Sequence, residues 1–297
     1  MAARIWIIGG LVLAAVGLAA VLLAEEKTED VASSQTAALR PPDGEWIPSV
    51  PGDRARVWAI GDADPPASKK MARLIRRGDP DRVLYLGDVY PTGTRADFTR
   101  WAKPFGGLVD KMAPTPGNHD WPNAQAGYEP FWREVIGEAP PSYYSFNAGG
   151  WEILSVNNED PEWRPAESWL EQQVRPGGNC RIASWHTPRY NAGKHEGGER
   201  PQVAEFWEAI EGRARLVING HDHNSQRMRE RDGIVELIAG AGGRHLYDVD
   251  EGDKRLAFSN DTEYAALRLD LKPGVARWRF VAVGGDVLDK GSLRCRA

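Results

Sequence analysis

The chain has 297 residues, 41% of them hydrophobic, and a formal net charge of −5. That length and apolar content allow one large globular domain or two small ones. The acidic balance excludes the basic footprint with which nucleic-acid binders neutralise phosphates, so no nucleic-acid polymer is expected as a partner.

From Ile5 to Ala24 the sequence is apolar and uncharged, preceded by Arg4 and followed by Glu25-Glu26-Lys27-Thr28-Glu29-Asp30. A helix needs about 20 apolar residues to cross a bilayer, whereas a signal-peptide core spans about 7 to 15. Residues 1 to 24 therefore read as a signal anchor or a signal peptide. The charge order favours an exported body, held at the membrane by this segment or secreted if the segment is cleaved. Residues 25 to 52 are polar, lack a sustained apolar period and read as a flexible linker. The globular domain is expected from 53 to 297.

Within it, short apolar runs alternate with stretches of helical character, the pattern of an α/β domain. Four runs end in polar residues: Arg56 to Ile60 before Gly61-Asp62, Arg82 to Leu86 before Gly87-Asp88, Arg181 to Trp185 before His186, and Leu216 to Ile218 before Asn219-Gly220-His221. In open α/β sheets the C-terminal strand edge is where ligands bind. Ser68 to Arg77 has Met71, Leu74 and Ile75 at helical spacing and reads as a crossover helix. Ala265, Leu267, Leu269 and Leu271 alternate with polar residues, as do Ala276, Trp278 and Phe280 beyond Lys272-Pro273-Gly274, which predicts a β-hairpin. Local hairpins after crossover units suggest a second sheet packed on the first and covered outside by helices. The two cysteines, Cys180 and Cys295, form a candidate disulfide in an oxidising compartment.

The chemistry concentrates in five blocks: Gly61-Asp62-Ala63-Asp64, Gly87-Asp88, Gly117-Asn118-His119-Asp120, His186, and Gly220-His221-Asp222-His223. They offer oxygen and imidazole ligands, the mixture that Zn, Mn and Fe take. Glycine before each ligand would let the backbone turn off the strand. Taken singly, Asp62 and Asp88 also fit helix N-caps and Asn118 a turn residue. Those readings leave unexplained why four of the six histidines fall in these blocks.

In order and spacing, the blocks resemble the signature of the calcineurin-like metallophosphoesterases, and Trp185-His186-Thr187-Pro188-Arg189 with His221-Asp222-His223-Asn224 resembles the branch containing purple acid phosphatases. The resemblance implies a four-layer α-β-β-α sandwich with two packed mixed sheets. It also implies two metal ions (Fe, Zn or Mn), with Asp88 bridging, Asp62 and His223 on the first, and Asn118, His186 and His221 on the second. The expected reaction is hydrolysis of a small phosphorylated substrate by in-line attack of hydroxide. Asn118 and His119 would touch the phosphate, His119 would serve as acid, and Asp120 would orient its ring. Two departures stand out: Asp64 and Tyr90 occupy positions near those at which family members carry a histidine or tyrosine ligand, so the first metal takes Tyr90, Asp64 or water. His195 and Arg189 are further candidates for substrate contact. A phosphodiesterase or nucleotidase with the same metals, and a surface binding protein that keeps the fold without turnover, are the rival functions.

Overall fold

The computed structural model describes residues 46–174, 178–195 and 200–295. The apolar segment Ile5 to Ala24 and most of the expected linker lie outside the described residues. Among the described residues, no helix is long and apolar enough to cross a membrane.

Two mixed sheets form the centre. The first has the order β13-β12-β11-β1-β2-β3, from Val287–Arg294, Val275–Ala282, Ala265–Lys272, Ala55–Ile60, Arg82–Tyr85 and Met112–Pro114. The second has the order β10-β8-β9-β7-β6-β5-β4, from Leu256–Asn260, Ser225–Met228, Val235–Ala239, Leu216–Asn219, Arg181–Ser184, Trp151–Val156 and Tyr143–Ala148. β1, β2 and β3 are parallel, as are β5, β6, β7 and β9. The antiparallel members extend each sheet outward.

Strand alternation determines the layers. In β1, Val57 and Ala59 point to the core between the sheets, while Trp58 and Ile60 point away. In β7, Leu216 and Ile218 enter that same central core and Val217 the opposite side. Side chains on successive residues face opposite ways, so strands buried on both faces need apolar residues at every position. The outer face of the first sheet is covered by α1 (Ser68–Arg77), α2 (Arg95–Phe105) and α3 (Tyr128–Ile136), packed through Met71, Phe98, Trp101 and Trp132. That of the second is covered by α4 (Arg164–Gln173) and α5 (Pro201–Ile210), through Leu170, Phe206 and Trp207. The four-layer sandwich anticipated from the sequence is therefore the architecture.

The predicted helix coincides with α1, and the predicted hairpin is β11–β12, with Lys272 paired to Val275 across Pro273-Gly274. Cys180 and Cys295 are joined by a disulfide with Cα atoms 5.0 Å apart, across 115 residues of sequence. It ties the end of the chain to the start of β6, and closing so long a loop is worth about 5 kcal/mol in the chain-entropy picture.

Candidate metal centre

The C-terminal ends of β1, β2, β6 and β7 converge, and each delivers one residue of the predicted blocks. Asp62, Asp88 and His221 have φ of 54°, 71° and 70°, three of the five described non-glycine residues with positive φ. Such backbone costs about 1–3 kcal/mol per residue and survives where the surroundings over-determine it. Thus the glycine-turn expectation needs revision: at all three of these corners the ligand itself takes the left-handed backbone, and at two of them the preceding glycine does not. Gly61 and Gly220 instead permit close approach, since a Cβ on Gly61 would stand 2.9 Å from the Gly220 Cα. Gly87 does turn, with φ +97°, and a Cβ on Gly117 would collide with Asp88 Oδ1.

These residues are buried: Asp62 and His186 are 0% exposed, Asp88 1% and His223 3%. Their acceptor atoms point at one another in two groups. In the first, Tyr90 Oη lies 3.3 Å from Asp62 Oδ1, 3.0 Å from Asp88 Oδ2 and 2.7 Å from His223 Nε2. In the second, Asn118 Oδ1 lies 3.0 Å from His186 Nε2 and 2.9 Å from His221 Nδ1, and Asp88 Oδ1 is 3.5 Å from His186 Nε2. Asp88 therefore faces both groups.

The far ring nitrogens fix the tautomers. His186 Nδ1 donates to the Leu86 carbonyl at 2.6 Å, and His223 Nδ1 to the His245 carbonyl at 2.8 Å. Each leaves its Nε2 lone pair aimed inward, the arrangement by which outer hydrogen bonds orient metal-binding histidines. Converging lone pairs on buried residues call for a cation, so the donor set fits metal ions. Asp62, Asp88 and His186 alone offer three ligand atoms within 4.8 Å of one another. The carboxylates show the same demand for positive charge: burial pulls the His186 imidazole down, but Asp88 and then Asp62 outweigh it and raise it to about 10, placing on Nε2 a proton that a metal ion would displace. Burial and the neighbouring His186 and His195 push His221 down to about 2, keeping it neutral. Burial, Asp62 and Asp88 push the Tyr90 hydroxyl up.

Asp64 stands back from the acceptor cluster: its Oδ2 accepts the Tyr90 N–H at 2.6 Å, holding the residue whose hydroxyl enters the centre. His119 sits at the mouth, half-buried, with its ring 4.1 Å from that of Tyr90. Its backbone N–H donates to Asp88 Oδ1 at 2.9 Å and its Nδ1 to the Pro91 carbonyl at 2.7 Å. The expectation that Asp120 orients this ring is corrected. Asp120 points inward and accepts from the backbone of Asp88, Val89 and Gly117 and from the Tyr85 hydroxyl, at 2.7–2.9 Å. Adjacent residues on this tight turn face opposite ways, so Asp120 braces the Asp88 loop while His119 faces the opening. Burial and Asp88 raise the Asp120 carboxyl to about 7.

His195 is brought to the site, its ring 4.5 Å from that of His221. Arg189 is not. Its guanidinium lies 5.3 Å over the Tyr190 ring and its backbone N–H donates to Glu236, on the helix side of the second sheet. Three contributors went unread in the sequence. Asn158 Oδ1 accepts the His186 N–H at 2.8 Å, Tyr247 stacks on His223 at 4.0 Å, and Arg244 lies over Tyr90. The polar run Asn157-Asn158-Glu159-Asp160, buried directly after β5, was a usable signal for the first. No sequence spacing announces the other two.

The sequence profile of the calcineurin-like phosphoesterase family matches residues 55–225, which holds every strand-end ligand described above. No curated protein sequence matches. Among solved structures, the purple acid phosphatase PPD1 from yellow lupin (Lupinus luteus) seeds superposes with a TM-score of 0.65 at 15% identity, covering 83% of this chain. This chain spans only 55% of the lupin protein. GAP50, the anchor in the inner membrane complex of Plasmodium, gives 0.66 at 13% identity, covering 83% of this chain and 90% of that one. A dimetal phosphatase from Danio rerio gives 0.50 at 12% identity, with 81% and 98% covered. At such identities the structural likenesses speak for the fold alone, while the profile covers more than half of the sequence and includes the motif blocks: the chain belongs to the calcineurin-like phosphoesterase family.

Proposed function

We propose that this protein is an exported, metal-dependent phosphoesterase that hydrolyses phosphate esters, phosphomonoesters before diesters, at a centre for two metal ions. The observation that carries this reading is the grouping of inward-facing lone pairs about Asp88. Asp62, His223 and Tyr90 would hold one ion; Asn118, His186 and His221 would hold the other. Two such ions clamp a phosphate, stabilise the leaving oxygen and lower the pKa of a water. Fe, Zn and Mn suit the nitrogen and oxygen donors.

The chain's own residues divide the remaining work. His119, with Nδ1 committed to the Pro91 carbonyl, has Nε2 to protonate the leaving alkoxide, the role in which histidine is most effective near neutral pH. Asp120 keeps the Asp88 loop in its left-handed turn, and Asp64 keeps Tyr90 aimed at the centre. No phosphoenzyme is invoked, since no Ser, Thr or Cys stands among the ligands. The test is hydrolysis of p-nitrophenyl phosphate and bis-p-nitrophenyl phosphate by the full-length chain, with and without a chelator. Chelator-sensitive turnover, faster on the monoester, is expected. Turnover untouched by exhaustive metal removal would overturn the reading, and preference for the diester would favour the phosphodiesterase alternative.

Export rests on the apolar segment Ile5 to Ala24 and its flanking charges. The Cys180–Cys295 bridge is of a kind that persists in oxidising compartments. Protease added to intact cells should digest the domain, or the domain should be recovered from the medium; full protection until lysis would contradict export.

A further inference from the structure

Arg244 follows Gly242-Gly243 on the segment after β9, where its backbone N–H donates to the Asp62 carbonyl at 3.1 Å. Its guanidinium lies 4.2 Å from the centroid of the Tyr90 ring. That ring carries the hydroxyl that stands among Asp62, Asp88 and His223. The half-buried Arg244 side chain makes no hydrogen bond among the described residues, and its Nε is fully covered without a partner. Asp64 feels its charge, yet Asp64 Oδ2 is committed to the Tyr90 N–H.

A guanidinium presents five donors in a fixed fork, and leaving them unmatched in a partly desolvated place is costly. Its position is also electrostatically awkward. Two divalent ions there would outweigh the two carboxylates of the centre, and Arg244 would add to that positive excess. An anion that enters the centre relieves both problems at once. Stacking on Tyr90 pre-orients the fork, which suits planar recognition of phosphate oxygens and lowers the entropy lost on binding.

We propose that Arg244 is a specificity-determining residue that binds a non-bridging oxygen of a doubly charged phosphate, selecting monoesters over diesters. The proposal rests on the phosphoesterase reading and deepens it, because a diester carries a substituent where the monoester carries its second charged oxygen. Tyr90 serves as the platform, so the residue that joins the centre also positions the residue that reads the substrate.

The test is calorimetric titration of the metal-loaded, full-length chain at pH 8 with orthophosphate and with dimethyl phosphate, metal content being measured alongside. Arg244→Met should weaken orthophosphate binding about tenfold or more, as loss of a charge-assisted bond does, and change dimethyl phosphate binding by less than about threefold. Arg244→Lys, which keeps the charge without the fork, should fall between. Equal weakening of both ligands, or unchanged orthophosphate binding with full metal content, would overturn the proposal. If Arg244→Met fails to load metal, Arg244→Lys decides: an unchanged orthophosphate affinity in that variant would overturn the proposal. Binding needs no turnover, so a wild-type chain that hydrolyses neither ester would sink the phosphoesterase reading while the titration still judged Arg244.

Discussion

The two halves of the candidate metal centre are built differently. Asn118, His186 and His221 stand on corners that follow β3, β6 and β7, and their side chains face one another, Asp88 and the Leu86 carbonyl. Asp62 and His223 share their half with Tyr90, and over it lie Arg244 and Tyr247, brought in by the loop after β9. The first half draws its three ligands from strand ends, braced by Asn158 after β5 and flanked by His195. The second adds an aromatic and cationic cover positioned by the loop after β9, and in the reading proposed for Arg244 that cover sets substrate discrimination.

The residue shared by both halves should show the largest effect. Asp88→Ala should remove both metals and depress turnover by about a thousandfold or more; a variant retaining wild-type rate would break the picture of a shared carboxylate. His119→Ala should keep both metals and lower kcat by about a hundredfold or more, with the smallest loss on esters whose leaving group needs no proton. Equal losses across leaving groups would argue against its acid role. Tyr90→Phe touches only the covered half. It should weaken one metal about tenfold or more while sparing the other, as metal titration would reveal, and weakening of both would erase the distinction between halves.

The remaining effect lies outside the centre and is one of stability. Glu236 is buried on the helix side of the second sheet and accepts the Arg189 and Tyr190 N–H groups at 2.7 and 2.9 Å. Burial pushes its carboxyl up to about 8 from an ordinary 4.5. The folded state then holds the proton more tightly than the unfolded one. Its contribution to stability is complete below the unfolded value and is lost as pH rises through about 8, at no more than about 1.4 kcal/mol per pH unit. Glu236→Gln should flatten Tm against pH between 5 and 8; an unaltered slope would place the titration elsewhere.

Much of this was legible in the sequence because parallel strands buried on both faces are continuous apolar runs, and their ligands follow immediately. β1, β2, β6 and β7 were read that way. β4 and β5 were not, although Gly149-Gly150, both with positive φ, joins two alternating runs as a tight hairpin. β8, at Ser225–Met228, has no apolar pattern to betray it. Within the site, sequence adjacency misled at Asp120, whose side chain turns away from His119, and at Arg189, which stays on the outer face. Arg244 and Tyr247 escaped because their roles depend on a loop passing over Tyr90 and His223, a contact that no local spacing encodes.

The most direct test of the two-metal centre is a metal count per chain, by mass spectrometry of the elements, on the wild-type protein and Asn118→Ala after identical reconstitution. The account predicts two ions in the wild type and one in the variant, the surviving ion held by Asp62, Asp88, His223 and Tyr90. A wild-type chain that retains no metal, or a variant that still retains two, would contradict it.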